Sequence, residues 1–312
     1  MSHEITTSRS PVAILGLVRA LALSLRPHQW VKNLLVFGSL LFSQSLRDAT
    51  AVFHSVHAFL LFCFAASSIY LLNDVNDREE DCRHPTKRLR PVASGQISSA
   101  TALGVMLCLA VGSILSAFQI NKTFGGVLAM YVLMNVAYTL KLKQVVILDV
   151  MILAFGFVLR AIGGAVAIGV PASSWLVLCT LTLALLVGFG KRRNELAVLQ
   201  GDASRHRSNL EEYSLPFLDL MMTISGGAAV VMYALYTTAA ASSGRIGSPL
   251  LVMTTPFVIY GIFRYLYLVH RLSEGGDPSR LFVSDRPFLI NGVLWVLACS
   301  LAIYGPTHWA IW

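Results

Sequence analysis

The 312 residues are 55% hydrophobic and only 13% charged, and the net charge is +8. With a mean hydropathy of +0.67, that much apolar surface cannot be hidden inside one soluble domain, so the chain reads as an all-α polytopic membrane protein. The basic excess follows membrane topology, as shown below, and so argues against nucleic acid as a partner.

Residues 1–29 are expected to form a tail and an interfacial amphipathic helix, with residues 30–312 a single transmembrane helical domain. The stretch VAILGLVRALALSLRP is interrupted by Arg19, followed by Arg26 and closed by no small-residue cleavage site, which separates it from a signal peptide. Apolar runs near 30–45, 56–72, 100–118, 123–140, 147–169, 173–190, 216–240, 249–269 and 287–311 predict about nine spans, and the glycine content argues for helices over strands. With the N-terminus inside, Arg47, Lys122 and Arg245 fall outside and Arg160 and Arg264 fall within spans; the other nineteen of 24 bases lie on the cytoplasmic side. The long or charged connections at 73–98, 141–146, 191–214 and 271–286 share that side, where a site for a charged substrate belongs. The two longest follow the second and sixth spans, a spacing that hints at an internal repeat.

The first of these connections reads NDVNDREEDCRHPTKRLR from 73 to 90. On a helix continuing from the second span, Asp74, Asp77 and Asp81 share an arc of about 60°, while Glu79 and Glu80 point elsewhere. Like charges on one face repel one another unless a cation joins them. Oxygen-only ligands suit Mg²⁺, which also binds substrate phosphates. A solvated charged face is the competing reading. Arg83, Lys87, Arg88 and Arg90 follow the carboxylates directly. Acids for a metal beside bases for phosphate oxygens make a diphosphate site.

Further along, Tyr138 and Lys143 end the fourth span and Asp149 opens the fifth. Arg160 lies near the middle of the fifth span and Arg264 nearer the cytoplasmic end of the eighth, with no acid evident at either depth. A buried guanidinium needs an anion or a set of acceptors. A lipid phosphate is the economical partner for Arg160, with a tyrosine hydroxyl or carbonyl cluster as the alternative, and Arg264 has the option of reaching the interface. Gly163, Gly164, Ala167 and Gly169 read as close helix packing. Before the first span, His28 and Lys32 share a helical face, Asn33 follows, and Trp30 suits an interfacial anchor.

NDVND-x-x-x-D resembles the NDxxDxxxD motif of the UbiA superfamily of intramembrane prenyltransferases. RPHQWVKN at 26–33, HPTKRLRPVASG at 84–95, YTLKLK at 138–143 and GKRRNE at 190–195 are similar to its polyprenyl-phosphate (decaprenyl-phosphate) phosphoribosyltransferase branch. The resemblance runs from about residue 26 to 300 and implies a nine-helix bundle. It departs from ordinary prenyltransferases in one respect. Where they carry a second DxxxD, this chain has KRRNELAVLQGDASRHRSNLEEYS, in which Asp202 is followed by His206 and cations stand at the start.

The resemblance implies Mg²⁺-dependent transfer of 5-phosphoribose from phosphoribosyl diphosphate to a polyprenyl phosphate, for cell-wall precursor synthesis at the bacterial cytoplasmic membrane. Asp74, Asp77 and Lys191 are the expected catalytic residues, with Asp74, Asp77 and Asp81 on the metal. Asn73, Arg83, Lys87, Arg88, Arg90, Lys143, Lys191, Arg192 and Arg193 are expected on the donor's phosphates. Lys32, Asn33, Tyr138, Arg160 and Arg264 are expected on the lipid phosphate. Two other readings stand beside it: prenyl transfer from a polyprenyl diphosphate to an aromatic acid, and anion transport. A homo-oligomer is left open.

Overall fold

Apolar stretches without internal proline become long helices here, several of them started by a side chain that accepts from the first free backbone N–H groups. The computed structural model describes residues 11–198, 210, 212–243, 249–271 and 284–305. In chain order the helices are α1 (Pro11–Ser24), α2 (Gly38–Phe42), α3 (Ala49–Asn76), α4 (Arg78–Arg83), α5 (Ser99–Ile120), α6 (Lys122–Leu140), α7 (Leu148–Ala167), α8 (Ser174–Val198), α9 (Leu215–Ser243), α10 (Thr255–Arg271) and α11 (Arg286–Tyr304). Asp48 caps α3, Ser98 caps α5, Asn121 caps α6 and Asp285 caps α11.

Among the described residues, eight helices are long and apolar enough to cross a membrane. The span expected at 30–45 is different: it is a 3-10 helix, Pro27–Phe37, continued by the short α2. A 3-10 run of 11 residues is long for its kind. Irregular backbone at membrane depth survives only where protein covers it, and this segment is covered by α3 and α7. Ser39 Oγ reaches Ala161 O (3.4 Å), and Trp30 Nε1 donates to Ser67 Oγ (3.1 Å). Gly164 makes the approach possible, because a Cβ there would stand 2.0 Å from the Val36 carbonyl oxygen.

One core packs Phe62, Phe124, Leu128 and Tyr131 between α3, α6 and α7. A second joins α7 to α8, α9 and α10 through Val150, Leu186, Met222 and Ile262. A third gathers Tyr233, Leu251, Cys299 and Ile303, with Leu41 and Phe42 against it, and Tyr304 Oη donates to Leu41 O (3.1 Å), tying α11 back to α2. Helix α7 belongs to two of these cores and is 67% buried along its span, against 17% for α11, which makes α7 the central strut. Outside the bundle, α1 lays Ala20, Leu17 and Leu21 on Leu71, Val92, Ile97 and Ala102.

Candidate functional site at the charged end of the bundle

The end of α3 and the chain after it do not form the single helix expected for Asp74, Asp77 and Asp81. Helix α3 stops at Asn76; Asp77 takes φ −96°, ψ 11°, and α4 starts afresh at Arg78. The break divides the trio two to one. Asp74 and Asp81, both 2% exposed, face each other across Arg90, whose Nη1 lies 3.3 Å from Asp74 Oδ1 and 2.7 Å from Asp81 Oδ2. Arg26 forms a second ion pair with Asp74 Oδ1 and lies 5.0 Å from the centre of the Tyr70 ring. Asp77 instead receives Lys143 Nζ (2.6 Å), brought over from the short turn after α6, and Asn76 Nδ2 (2.7 Å). Each acid therefore meets a cation from a different stretch of chain.

Glu79, Glu80, Arg83, Lys87 and Arg88 are exposed, and Asn73 is half-buried on α3. Of the bases expected on the donor's phosphates in this loop, Arg90 joins the carboxylates. Among the described residues, no three His, Cys, Asp or Glu side chains converge on one metal position. Even so, one guanidinium already bridges two carboxylates and an ammonium sits on the third. The donor set is all oxygen, so in charge and chemistry it fits a hard divalent ion such as Mg²⁺.

The expected basic loop after the sixth span begins as helix. Because α8 continues to Val198, Lys191, Arg192 and Arg193 are about 100° apart around it and leave in three directions. Lys191 stays half-buried, 3.9 Å from Glu195. Arg193 pairs with Asp219 on α9 (2.5 Å), which also takes His270 (3.1 Å). Arg192 turns inward and is 1% exposed. Its Nε donates to Asp149 Oδ2 (2.6 Å), Nη1 to Glu195 (2.5 Å) and Nη2 to Tyr138 Oη (3.1 Å). Tyr213 Oη donates to Asp149 Oδ1 (2.7 Å) and accepts from Ile147 N (2.6 Å). Burial, with the hydrogen bond to Asp149, holds that phenol well above the usual tyrosine range. Arg192, expected on donor phosphate, and Tyr138, expected on lipid phosphate, are both enclosed in this network. Asp202 and His206 lie outside the described residues.

The two membrane arginines also have partners within the protein. Arg160 is 6% exposed and has no carboxylate; Nε donates to Asn33 Oδ1 (2.6 Å), Nη1 to Gly156 O (2.8 Å) and Nη2 to Tyr131 Oη (2.7 Å). Arg160 thus sits among neutral acceptors, the alternative to a lipid anion, and Asn33, 1% exposed, is one of them. Arg264 has an acid after all, Asp285 (2.8 Å), which the sequence places in a connection rather than a span. Hydrogen bonds from Arg264 hold Asp285 below the usual carboxylate range. Lys32 is half-buried and bonded to Gln29. Sequence reasoning passed over Arg26, although it opens RPHQWVKN, and over Glu195, Tyr213 and Asp219, whose partners are distant in the chain.

These contacts link the ends of α3, α6 and α8 with the starts of α7 and α9, so most of the charged chemistry stands at one end of the bundle. Fold and site together define an integral membrane protein, helical among the described residues, with paired acids and cations gathered at one end of its bundle. The chain belongs to the UbiA prenyltransferase family, whose model matches residues 34–305. It is 34% identical to a decaprenyl-phosphate phosphoribosyltransferase of Mycolicibacterium smegmatis, covering 97% of this chain and 98% of the relative. It is 33% identical to one of Mycobacterium tuberculosis, over 97% and 99%. A UbiA homologue from Archaeoglobus fulgidus, solved with GPP and Mg²⁺, superimposes with a TM-score of 0.72 at 18% identity, over 91% of this chain and 99% of its own.

Proposed function

We propose that this protein transfers 5-phosphoribose from phosphoribosyl diphosphate to decaprenyl phosphate or a similar polyprenyl phosphate, with Mg²⁺, releasing diphosphate. The observation that carries the reading is the similarity to two decaprenyl-phosphate phosphoribosyltransferases along nearly the whole of both chains. The cluster of three acids and three cations supports a diphosphate-bearing donor. The excess of Lys and Arg in the connections of that end supports a cytosolic site and N-terminus in a bacterial cytoplasmic membrane. Residues 1–29 then form the tail and interfacial helix, and 30–312 the catalytic bundle.

An anionic oxygen of the lipid phosphate attacks the anomeric carbon. The C–O bond to diphosphate breaks, and the bonding pair leaves with the diphosphate. A phosphate monoester is already ionised, so no general base is needed. Asp74, Asp77 and Asp81 would hold Mg²⁺, which neutralises charge on the leaving diphosphate when bound. Arg90 and Lys143, released from their carboxylates, would donate to the same oxygens, with Lys191 of α8 as a further donor. Purified protein should move label from phosphoribosyl diphosphate into decaprenyl phosphate only when Mg²⁺ is present. No transfer, alongside prenylation of an aromatic acid from a prenyl diphosphate, would overturn the assignment.

A further inference from the structure

The short connection from α6 to α7 brings Lys143 to Asp77 (2.6 Å) and then closes on a strained backbone. Leu142–Gln144 form one 3-10 turn, and four residues beyond Lys143 stands Ile147, at φ 67°, ψ −47°. Leu148 N donates to Val146 O (2.7 Å) across it, which makes a γ-turn of the rare kind with a positive central φ. Three described residues other than glycine have positive φ, and Ile147 is the one with a branched β-carbon, which tolerates that region least. Its side chain is 42% exposed, so packing of that side chain is a weak restraint.

Tyr213 supplies the restraint. Ile147 is the flank at which α7 begins, and no side chain of its own caps the helix there. Its N–H donates instead to Tyr213 Oη (2.6 Å), from 66 residues away. That hydroxyl is aimed from behind: it donates to Asp149 Oδ1 (2.7 Å), whose other oxygen holds Arg192, and the ring packs in the second core beside Phe217. Only a protonated phenol donates and accepts at once, and burial with the Asp149 bond keeps it protonated. We propose that Tyr213 is a positioning residue for Lys143: its hydroxyl holds the strained turn at Ile147 closed, and the closed turn fixes the backbone from which Lys143 reaches Asp77. Return of Ile147 to negative φ would swing the preceding residues about the start of α7 and carry Lys143 off the acid. The kinetic consequence rests on the reading that Lys143 serves the donor's diphosphate.

The test uses the detergent-purified full chain and the acetylation rates of Lys143 and Lys141, read by mass spectrometry after a short pulse of reagent. Lys141 is exposed and serves as the internal reference. In wild type, Lys143 on Asp77 should react about tenfold more slowly than Lys141; in Tyr213→Phe, which removes only the hydroxyl, the two rates should come within about threefold. With phosphoribosyl diphosphate and decaprenyl phosphate varied in turn, Tyr213→Phe should raise donor KM about tenfold and leave acceptor KM within about twofold. Adding Ile147→Gly, which removes the strain, should return that variant's donor KM to within about threefold of wild type. Should Tyr213→Phe not fold, the α-hydroxy acid analogue of isoleucine at 147 removes the same bond and leaves Tyr213 on Asp149.

A folded Tyr213→Phe chain with Lys143 as protected as in wild type would overturn the proposal. So would a variant that loses stability while both KM values stay put, since Tyr213 would then only brace the bundle. Failure of Ile147→Gly to rescue would overturn the part given to strain. The acetylation ratio needs no substrate. Release of Lys143 in Tyr213→Phe, in a protein whose wild type transfers no phosphoribose, would therefore sink the donor assignment and leave the role of Tyr213 standing.

Discussion

The two guanidiniums at Asp74 and the guanidinium at Asp149 make the same kind of bond in opposite settings. Arg26 and Arg90 retain 21% and 29% of their side-chain exposure, and Arg90 divides itself between two acids. Arg192 is 1% exposed on an acid that is 0% exposed, with Glu195 and Tyr138 completing its shell. A pair whose acid is buried but whose cation stays partly exposed can trade the carboxylate for a phosphate, because water and ligand reach the guanidinium. A buried pair cannot let go without leaving a bare charge in a low dielectric, so it holds helices together instead. Exposure, more than charge or position in a motif, separates cations free to exchange partners, Arg26 and Arg90, from one that braces the bundle, Arg192.

That contrast is broken most severely at the acids. Asp74→Asn or Asp77→Asn should lower kcat by at least about 100-fold, since metal ligands are lost while size is kept. Asp81→Asn should cost less, and Glu79→Ala, on an exposed side chain, little. Steady-state rates, with thermal unfolding as a control, check the series, and equal losses at Glu79 and Asp77 would reduce the loop to bulk charge.

Arg192→Ala should act on stability. Breaking a buried pair costs about 3–5 kcal/mol, and here it also strands Asp149 and loosens the hold of Tyr213 on Ile147. Low yield or a large fall in unfolding temperature is expected; a stable variant with a raised donor KM would return Arg192 to the phosphate site.

Arg160→Gln tests a buried guanidinium without an acid. It would leave the hydroxyl of Tyr131 and the carbonyl of Gly156 short of a donor, at about 1–3 kcal/mol. Unfolding should come at lower temperature with both substrates' KM values little changed, whereas a raised acceptor KM at unchanged stability would put the lipid phosphate there.

The eight long helices were legible because a membrane span is a local property, a run of apolar residues of the right length. The first was not, because Asn33 and Trp30 are satisfied by α3 and α7, which only the fold brings near. The Asp trio was legible as residue types, but the helix break at Asp77 left no mark in the spacing. KRRNE read as a loop because polarity resembles a connection, whereas α8 carries it two turns further as helix. Ion pairs such as Arg192–Asp149, separated by 43 residues, leave no trace in a single sequence.

The smallest expected effect sharpens the contrast from the solvent side. Arg88 belongs to the same basic run as Arg90 and carries the same charge, two residues away. Its side chain is exposed, while Arg90 turns in to join Asp74 and Asp81. A solvated guanidinium acts on a bound diphosphate only through water and salt, within a screening length of about 8 Å at physiological ionic strength. Arg88→Gln should therefore change donor KM by less than about threefold, with the change fading further in added salt, and should leave stability within about 0.5 kcal/mol. Arg90→Gln, removing the bridge between two buried carboxylates, should raise donor KM by about tenfold or more, with little salt dependence. Measuring donor KM for both variants at two salt concentrations separates the cases. Equal and equally salt-sensitive effects would mean that the whole run works as a diffuse positive patch and that the inward turn of Arg90 has no bearing on binding.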